Sequence, residues 1–323
     1  MKKVSKLAIF YFSGTGNAKQ IALWFSEYAG KQGIDCRLCS ISTADPITTI
    51  HSDTLIIFIS PVHGFNYPKI TLDFIRRFPK GNNRVVLMCT RAGMRIGNIA
   101  TPGLTGIAFF VSNLLLRTKG YTIAGQIPFD MPSNWIAIHP TLSRKTVRFL
   151  FETNFSHVQK HAEQIFAGKK DFLSHRDLVQ DVLVSPIALG YYIAGRFFLA
   201  KQFYASAQCN NCGLCINQCP VKAIKRVGGR PFWTFRCESC MKCMSRCPQK
   251  AIEVAHGLWL VLIILSSVFT PVFFLIIGFL YRLQHLLLAN RFFGKIITFT
   301  SLTHYKIWGK GNPKSNRIEQ QYA

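Results

Sequence analysis

A chain of 323 residues is long enough for two domains, and its 39 Lys and Arg against 14 Asp and Glu leave a formal net charge of +25. Hydrophobic residues make up 49% and charged residues 16%, more apolar than an ordinary soluble protein, which points to membrane contact. The basic excess favours polyanions: nucleic acid, an anionic membrane face or an acidic redox partner.

Lys2 and Lys3 precede an apolar run, Leu7 to Phe12, that imitates a secretory signal. It falls short of the roughly 7–15 residues such a signal needs, and no small-residue cleavage site follows closely. The run reads as a buried strand of a chain made in the cytosol. There thiols stay reduced, and clustered cysteines mean metal more often than disulfides.

From the first strand, Lys6 to Phe12, the chain enters a helix over Asn17 to Gly30, with Ile21, Ala22, Trp24, Phe25 and Tyr28 at helical spacing. Asp35 to Ile41, Thr54 to Ser60, Arg84 to Cys89 and Tyr121 to Ile127 read as further strands. The continuous run Leu55-Ile56-Ile57-Phe58-Ile59 suits a parallel strand covered on both faces. Five strands with intervening helices imply an α/β doubly wound parallel sheet over 1–168, whose ligand crevice lies beyond the strand carboxyl ends. Cys36 and Cys39 form a C-x-x-C within the second strand, where residues three apart face opposite sides, so these two and Cys89 read as small buried residues.

At the end of the first strand stands Ser13-Gly14-Thr15-Gly16-Asn17-Ala18. Hydroxyls and backbone N–H groups converge there at a helix N-terminus, which suits a phosphate. The loop is not G-x-x-x-x-G-K-[ST], and Lys19 stands where a dinucleotide fingerprint requires glycine or alanine. Pro61-Val62-His63-Gly64-Phe65 follows the third strand, and Thr90-Arg91-Ala92-Gly93 reads as the loop after the fourth.

Residues 169–206 form a connector. Val182 to Gly195 is uncharged and too short to span a bilayer, fitting a packed or interfacial helix.

Residues 207–256 carry an internal repeat. Cys209-x2-Cys212-x2-Cys215-x3-Cys219-Pro220 recurs 28 positions later as Cys237-x2-Cys240-x2-Cys243-x3-Cys247-Pro248, each copy continuing Lys-Ala-Ile. Three thiolates at this spacing wrap one face of a cubane, and the fourth, on the next turn, serves the other cluster. Cluster I therefore takes Cys209, Cys212, Cys215 and Cys247; cluster II takes Cys237, Cys240, Cys243 and Cys219. Zinc ribbons use two isolated C-x2-C pairs separated by a long loop instead.

Leu258 to Tyr281 is 24 residues without a charge. As a helix it would run about 36 Å against a hydrocarbon core of about 30 Å, with Pro271 kinking it. Residues 257–281 are therefore expected to insert in a membrane, either as a span or as a hairpin. The basic tail, 282–323, resists export and is expected to lie as an amphipathic segment on anionic lipid.

The Ser13–Ala18 loop resembles the phosphate loop of flavodoxins, departing at Ala18, where a hydroxyl is usual. The cysteine repeat resembles the bacterial two-cluster ferredoxins. Together the two halves resemble bacterial flavodoxin–ferredoxin fusion proteins. The resemblance implies a flavodoxin-like sheet of order 2-1-3-4-5, and FMN held by Ser13, Gly14, Thr15, Gly16, Asn17 and Ala18. The ring would be flanked by Pro61, Val62, His63 and Gly64 and by Thr90, Arg91, Ala92 and Gly93, with Phe65 or Tyr67 available for stacking. Arg91 near the ring would favour anionic reduced flavin, so that Arg91→Ala lowers its midpoint potential. The implied function is a flavin-to-cluster electron relay on the cytoplasmic face of the membrane, with a redox protein and anionic lipid as partners and no nucleic acid. The alternative is an enzyme, a flavin-dependent oxidoreductase such as a quinone reductase with its own small substrate.

Overall fold

The computed structural model describes residues 3–304 except 46, 48, 136, 138, 140, 141 and 261–269, with the backbone alone described at 194, 197, 198, 270–276 and 304. The chain divides into two compact units. One runs to Ser133 and resumes over Leu142–Ile193; the other takes Asn134–Thr141 and the chain from Ala194. The expected connector is thus split, its first part folding with the amino-terminal unit.

In the first unit, β1 (Lys6–Tyr11), β2 (Asp35–Ser40), β3 (Thr54–Pro61), β4 (Arg84–Ile96), β6 (Thr122–Pro132) and β7 (Asp171–Phe172) form a parallel sheet in the order β2-β1-β3-β4-β6-β7. β5 (Ile99–Thr101) folds back antiparallel on β4. The first five parallel strands have the expected 2-1-3-4-5 order, the flavodoxin-like arrangement. Seven of the eight residues of β3 are buried, as a central strand flanked by β1 and β4 requires.

Alternation along the strands divides the core. Ile9, Ile57, Ile59 and Met88 face α1 (Asn17–Lys31) and α4 (Arg144–Phe166) in one cluster, with Trp24 edge-on to Phe151. Phe10 and Phe58 instead meet Phe74, within α2 (Lys69–Arg77), and Phe78, just past its end, with ring centroids 5.1–6.2 Å apart. α3 (Ala108–Arg117) lies between β5 and β6 in sequence. Ser143 caps α4, its Oγ accepting from Thr146 N at 3.2 Å, a cap that contributes about 1 kcal/mol.

Thr90-Arg91-Ala92-Gly93, expected as a loop, is strand. β4 and β6 continue past the end of β3, pairing Thr90 with Phe129 and Gly93 with Pro132. A Cβ at Gly93 would lie 2.5 Å from Asp130 O, so the close pairing needs glycine. α5 (Leu178–Gly190) follows β7 through a 3-10 turn and leads into a π-helical turn, Tyr191–Gly195.

In the second unit, α6 (Arg196–Lys201) leads to β8 (Phe203–Ala205), which pairs antiparallel with β11 (Ile252–Val254). Between them lie α7 (Leu214–Asn217), the hairpin of β9 (Ile224–Val227) and β10 (Arg230–Trp233), and α8 (Lys242–Ser245). α9 (Thr270–Leu287) and α10 (Arg291–Phe299) follow. Among the described residues no helix is long and apolar enough to cross a membrane. Of the segment expected to insert, 261–269 lies outside the described residues, while Trp259, Ile277 and Tyr281 are buried in this unit. The tail beyond 304 also lies outside them.

Candidate functional site

The two copies of the cysteine repeat share a backbone as well as a sequence. Asn211 and Ser239, Gly213 and Met241, and Lys222 and Lys250 all have φ between 49° and 75°. Each pair is 28 positions apart, so the left-handed kinks recur with the cysteines. Five of the six are not glycine, and such residues hold this conformation only where the surroundings impose it. The kinks aim backbone N–H groups at sulfur: Ala223 N donates to Cys219 Sγ at 3.2 Å and Ala251 N to Cys247 Sγ at 3.3 Å, again 28 apart. Ser239 N donates to Cys237 Sγ at 3.4 Å.

The structure brings Cys209, Cys212, Cys215 and Cys247 around one cavity. Burial pushes the Cys215 thiol up to about 11, reinforced by Cys209, Cys247 and Cys212, its three partners in that quartet. Burial likewise raises Cys237, with Cys240 and Cys219 adding to it, and pushes Cys240 up to about 11, with Cys219 adding to it. Each triplet therefore neighbours the fourth cysteine of the other copy. Among the described residues no group of three or more His, Cys, Asp or Glu side chains is placed to hold a metal ion. Crowded thiols whose charged form is penalised by burial and by one another, yet met by N–H donors, suit a multinuclear cationic group that takes them as thiolates.

A buried cation stands beside the second quartet. Lys201 is 1% exposed, its Nζ donating to Trp233 O at 2.6 Å and lying 4.1 Å from the Phe235 ring centroid and 4.4 Å from that of Tyr281. Burial pushes its pKa down to about 8, with Cys237 acting the other way. Sequence reasoning passed over this residue: a lone lysine after two phenylalanines carries no spacing signal.

In the first unit, the Ser13–Ala18 loop is half-buried and enters α1 with no side-chain cap. Gly16, at φ 127°, donates its N–H to Ser13 Oγ at 3.1 Å, and Asn17 Nδ2 donates to Pro132 O at 2.7 Å, tying the loop to the end of β6. Ala18 is buried in the core. With no acidic residue in the first turn, the α1 N-terminus favours an anion, and the loop fits a phosphate.

The Pro61–Phe65 segment forms a tight turn. Gly64 and Phe65 both have positive φ, and His63 and Asn66 exchange backbone hydrogen bonds at 2.8 and 3.3 Å. Val62 N donates to Thr90 O at 2.9 Å, which joins this turn to β4. Of the two aromatics expected near a flavin, Tyr67 is buried, its hydroxyl donating to Met88 O at 2.8 Å, and belongs to the core. Phe65 stays in the turn.

Arg91 is buried and fully engaged. Nε donates to Asp130 Oδ1 at 2.6 Å and Nη1 to Asp177 Oδ2 at 2.5 Å and Thr105 Oγ1 at 3.0 Å. Burial opposes its charge, but Asp130 and then Asp177 outweigh that and hold the pKa above the ordinary range. Two carboxylates thus balance the charge expected to act on the flavin.

The connector helix supplies residues that sequence reasoning missed. Besides Asp177, Asp181 accepts from Gly106 N at 2.7 Å and Gln180 Nε2 donates to Gly103 O at 3.2 Å. Tyr191 packs its ring onto Gly64, where an added Cβ would sit 2.1 Å from the ring. Tyr192 OH accepts from Arg76 Nη1 at 3.1 Å. One signal was available: Asp177 and Asp181 are the only acidic residues between Asp171 and Glu238, one helical turn apart.

Residues 208–252 match the 4Fe-4S dicluster domain family. No curated protein matches the sequence. Among solved structures, the rubredoxin:oxygen oxidoreductase of Desulfovibrio gigas aligns at 13% identity and a TM-score of 0.34, over 51% of this chain and 36% of that one, so this chain spans about a third of that protein. Flavodoxin 1 of Bacillus cereus aligns at 14% identity and a TM-score of 0.33, over 49% of this chain and 99% of its own. A flavodoxin from the domain Archaea does so at 13% and 0.31, over 49% and 99%. The family match thus covers the cysteine repeat, while the amino-terminal unit has the flavodoxin-like strand order.

Proposed function

We propose that the chain relays electrons between FMN, held by the Ser13–Ala18 loop and the Pro61–Gly64 turn, and two [4Fe–4S] clusters. One cluster would take Cys209, Cys212, Cys215 and Cys247, and the other Cys237, Cys240, Cys243 and Cys219. The crossed quartets, with their 28-residue recurrence of left-handed kinks and N–H donors to sulfur, carry this reading. Bound clusters supply one-electron transfer, and bound flavin converts between one and two electrons. The chain's own part is to bury the thiolates, donate to them and hold the loops rigid. A redox protein at the cytoplasmic membrane face is the partner in this reading.

Two features support membrane docking. On α5, Leu178, Val179, Val182, Leu183, Ile187 and Leu189 are all more than half exposed, while Asp177, Gln180 and Asp181 bond to the unit behind them. This helix turns its polar residues inward and its apolar ones out, the reverse of a helix in water. On α10, Phe292, Phe293, Ile296 and Phe299 are exposed beside exposed Arg291 and Lys295, the composition of a helix that lies in an anionic interface.

Anaerobic purification followed by iron, sulphide and flavin analysis tests the relay. About eight iron and eight sulphide atoms with one FMN per chain is the expected result, and zinc with no labile sulphide would dismiss it.

A further inference from the structure

Within the second unit a cavity of about 740 Å³ opens between the strand pair and α10, inside the range of about 300–1,000 Å³ typical of small-molecule sites. Its walls are apolar at Leu288 and Phe299, with Arg230, Arg291 and Lys295 bringing three cationic groups. Two buried polar groups line it as well. Ser206, 4% exposed, has no hydrogen-bond partner for its Oγ. Glu253 is 0% exposed, with the Tyr204 hydroxyl 3.4 Å away.

An unpartnered buried hydroxyl costs about 1–3 kcal/mol, a cost that a ligand oxygen accepting from it would remove. Glu253, the one acidic residue at the cavity, stands against the three cationic groups there. The position is informative too: Ser206, Ala207 and Gln208 line the cavity and run directly into Cys209, whose N–H donates to Ser206 O at 3.0 Å. A ligand here lies against the first loop of the cysteine quartets.

We propose that this cavity binds a quinone. A neutral ring with carbonyl oxygens accepts from Ser206 and from the cationic groups, and its apolar body fills the space between Leu288 and Phe299. This deepens the relay reading and rests on it for the identity of the electron acceptor, but the binding itself does not require the clusters.

Equilibrium dialysis of the full chain with 2-methyl-1,4-naphthoquinone tests it, with 2-methylnaphthalene and palmitate as competitors. Saturable binding that neither competitor displaces is expected, weakened about fivefold to tenfold by Ser206→Ala and by Lys295→Gln, equivalent to one hydrogen bond each. Lys295 is exposed, so its replacement leaves the fold intact. Displacement by palmitate overturns the proposal in favour of an anion site, and displacement by methylnaphthalene in favour of an indifferent apolar pocket. Binding that survives both substitutions but disappears with the flavin places the quinone in the flavin crevice and also overturns it. Iron, sulphide and flavin are counted on the same preparations. A chain without clusters that still binds quinone through Ser206 loses the relay and keeps the site; a loaded chain that binds none does the opposite.

Discussion

Arg91 and Lys201 hold charge out of water, and burial disfavours the charged form of Asp181. Removing Arg91 leaves Asp130 and Asp177 facing one another without a cation. Arg91→Ala is therefore expected to cost about 3–5 kcal/mol of stability, read by urea unfolding, and this loss dominates any change in flavin potential, because two carboxylates already neutralise the guanidinium. Asp181 is pushed up by burial to about 6 from the ordinary 3.8, with Asp177 adding to the rise and the Gly106 N–H and Arg91 opposing it. Between those values the folded chain binds more protons than the unfolded one. The stability contributed by the neutral carboxyl is complete below about 4 and is lost as pH rises through 6. Asp181→Asn keeps the acceptor for Gly106 and removes the titration. The stability of the variant relative to the native chain should climb from pH 4 to 6 and level off above, measured by unfolding at a series of pH values. Lys201 acts through its charge on the quartet that contains Cys237. A buried cation favours the more negative, reduced state of a nearby cluster. Lys201→Met should lower the midpoint of that cluster and leave the other and the flavin unmoved in a redox titration followed by electron paramagnetic resonance; equal shifts in both would deny Lys201 this role.

At the scale of elements, what could be read in the sequence depended on whether one kind of signal was enough. β3 was legible because Leu55 to Ile59 is continuously apolar, and α1 because Ile21, Ala22 and Phe25 recur at helical spacing and are buried. The cysteine repeat was legible because its spacing recurs, and the structure places Cys209, Cys212, Cys215 and Cys247 around one cavity. The extension of β4 over Thr90 to Gly93 was not, since a glycine, an arginine and a threonine read as loop until Phe129 to Pro132 pair with them. Tyr67 stood open for stacking because a sequence places it in a loop but cannot show its hydroxyl reaching Met88. α5 shows a third case. Periodicity tells which residues share a face, but not which face is turned inward, and here ion pairing and hydrogen bonding turn the acidic face to the protein. The attachment of its far end can be tested. Gly64 has φ 54° and meets the Tyr191 ring, so Gly64→Ala should destabilise the first unit by about 1 kcal/mol or more and speed proteolytic cleavage near Gly190.

Across the whole molecule the basic excess and the outward apolar faces answer one another. Each unit carries its own exposed helix, α5 in one and α10 in the other, and each exposed aliphatic or aromatic side chain that enters lipid contributes up to about 1.5–3 kcal/mol. Val179→Asp with Leu183→Asp on α5, or Phe292→Ser with Phe299→Ser on α10, should each reduce binding to phosphatidylglycerol vesicles tenfold or more. Raising salt should weaken the native chain further, because each near-surface Lys or Arg contributes about 1 kcal/mol that ions screen. Binding indifferent to both pairs of substitutions would place the attachment elsewhere.

The exchange of fourth cysteines between the two copies has a consequence for how the domain can be divided. In the proposed assignment Cys219 belongs with the later triplet and Cys247 with the earlier one, so a fragment ending between the copies would hold three thiols of one set and a stray from the other. No contiguous half can be a miniature of the whole. On that assignment the smallest working piece is the full duplication, and the two proposed centres should be acquired together, with singly filled chains scarce throughout reconstitution.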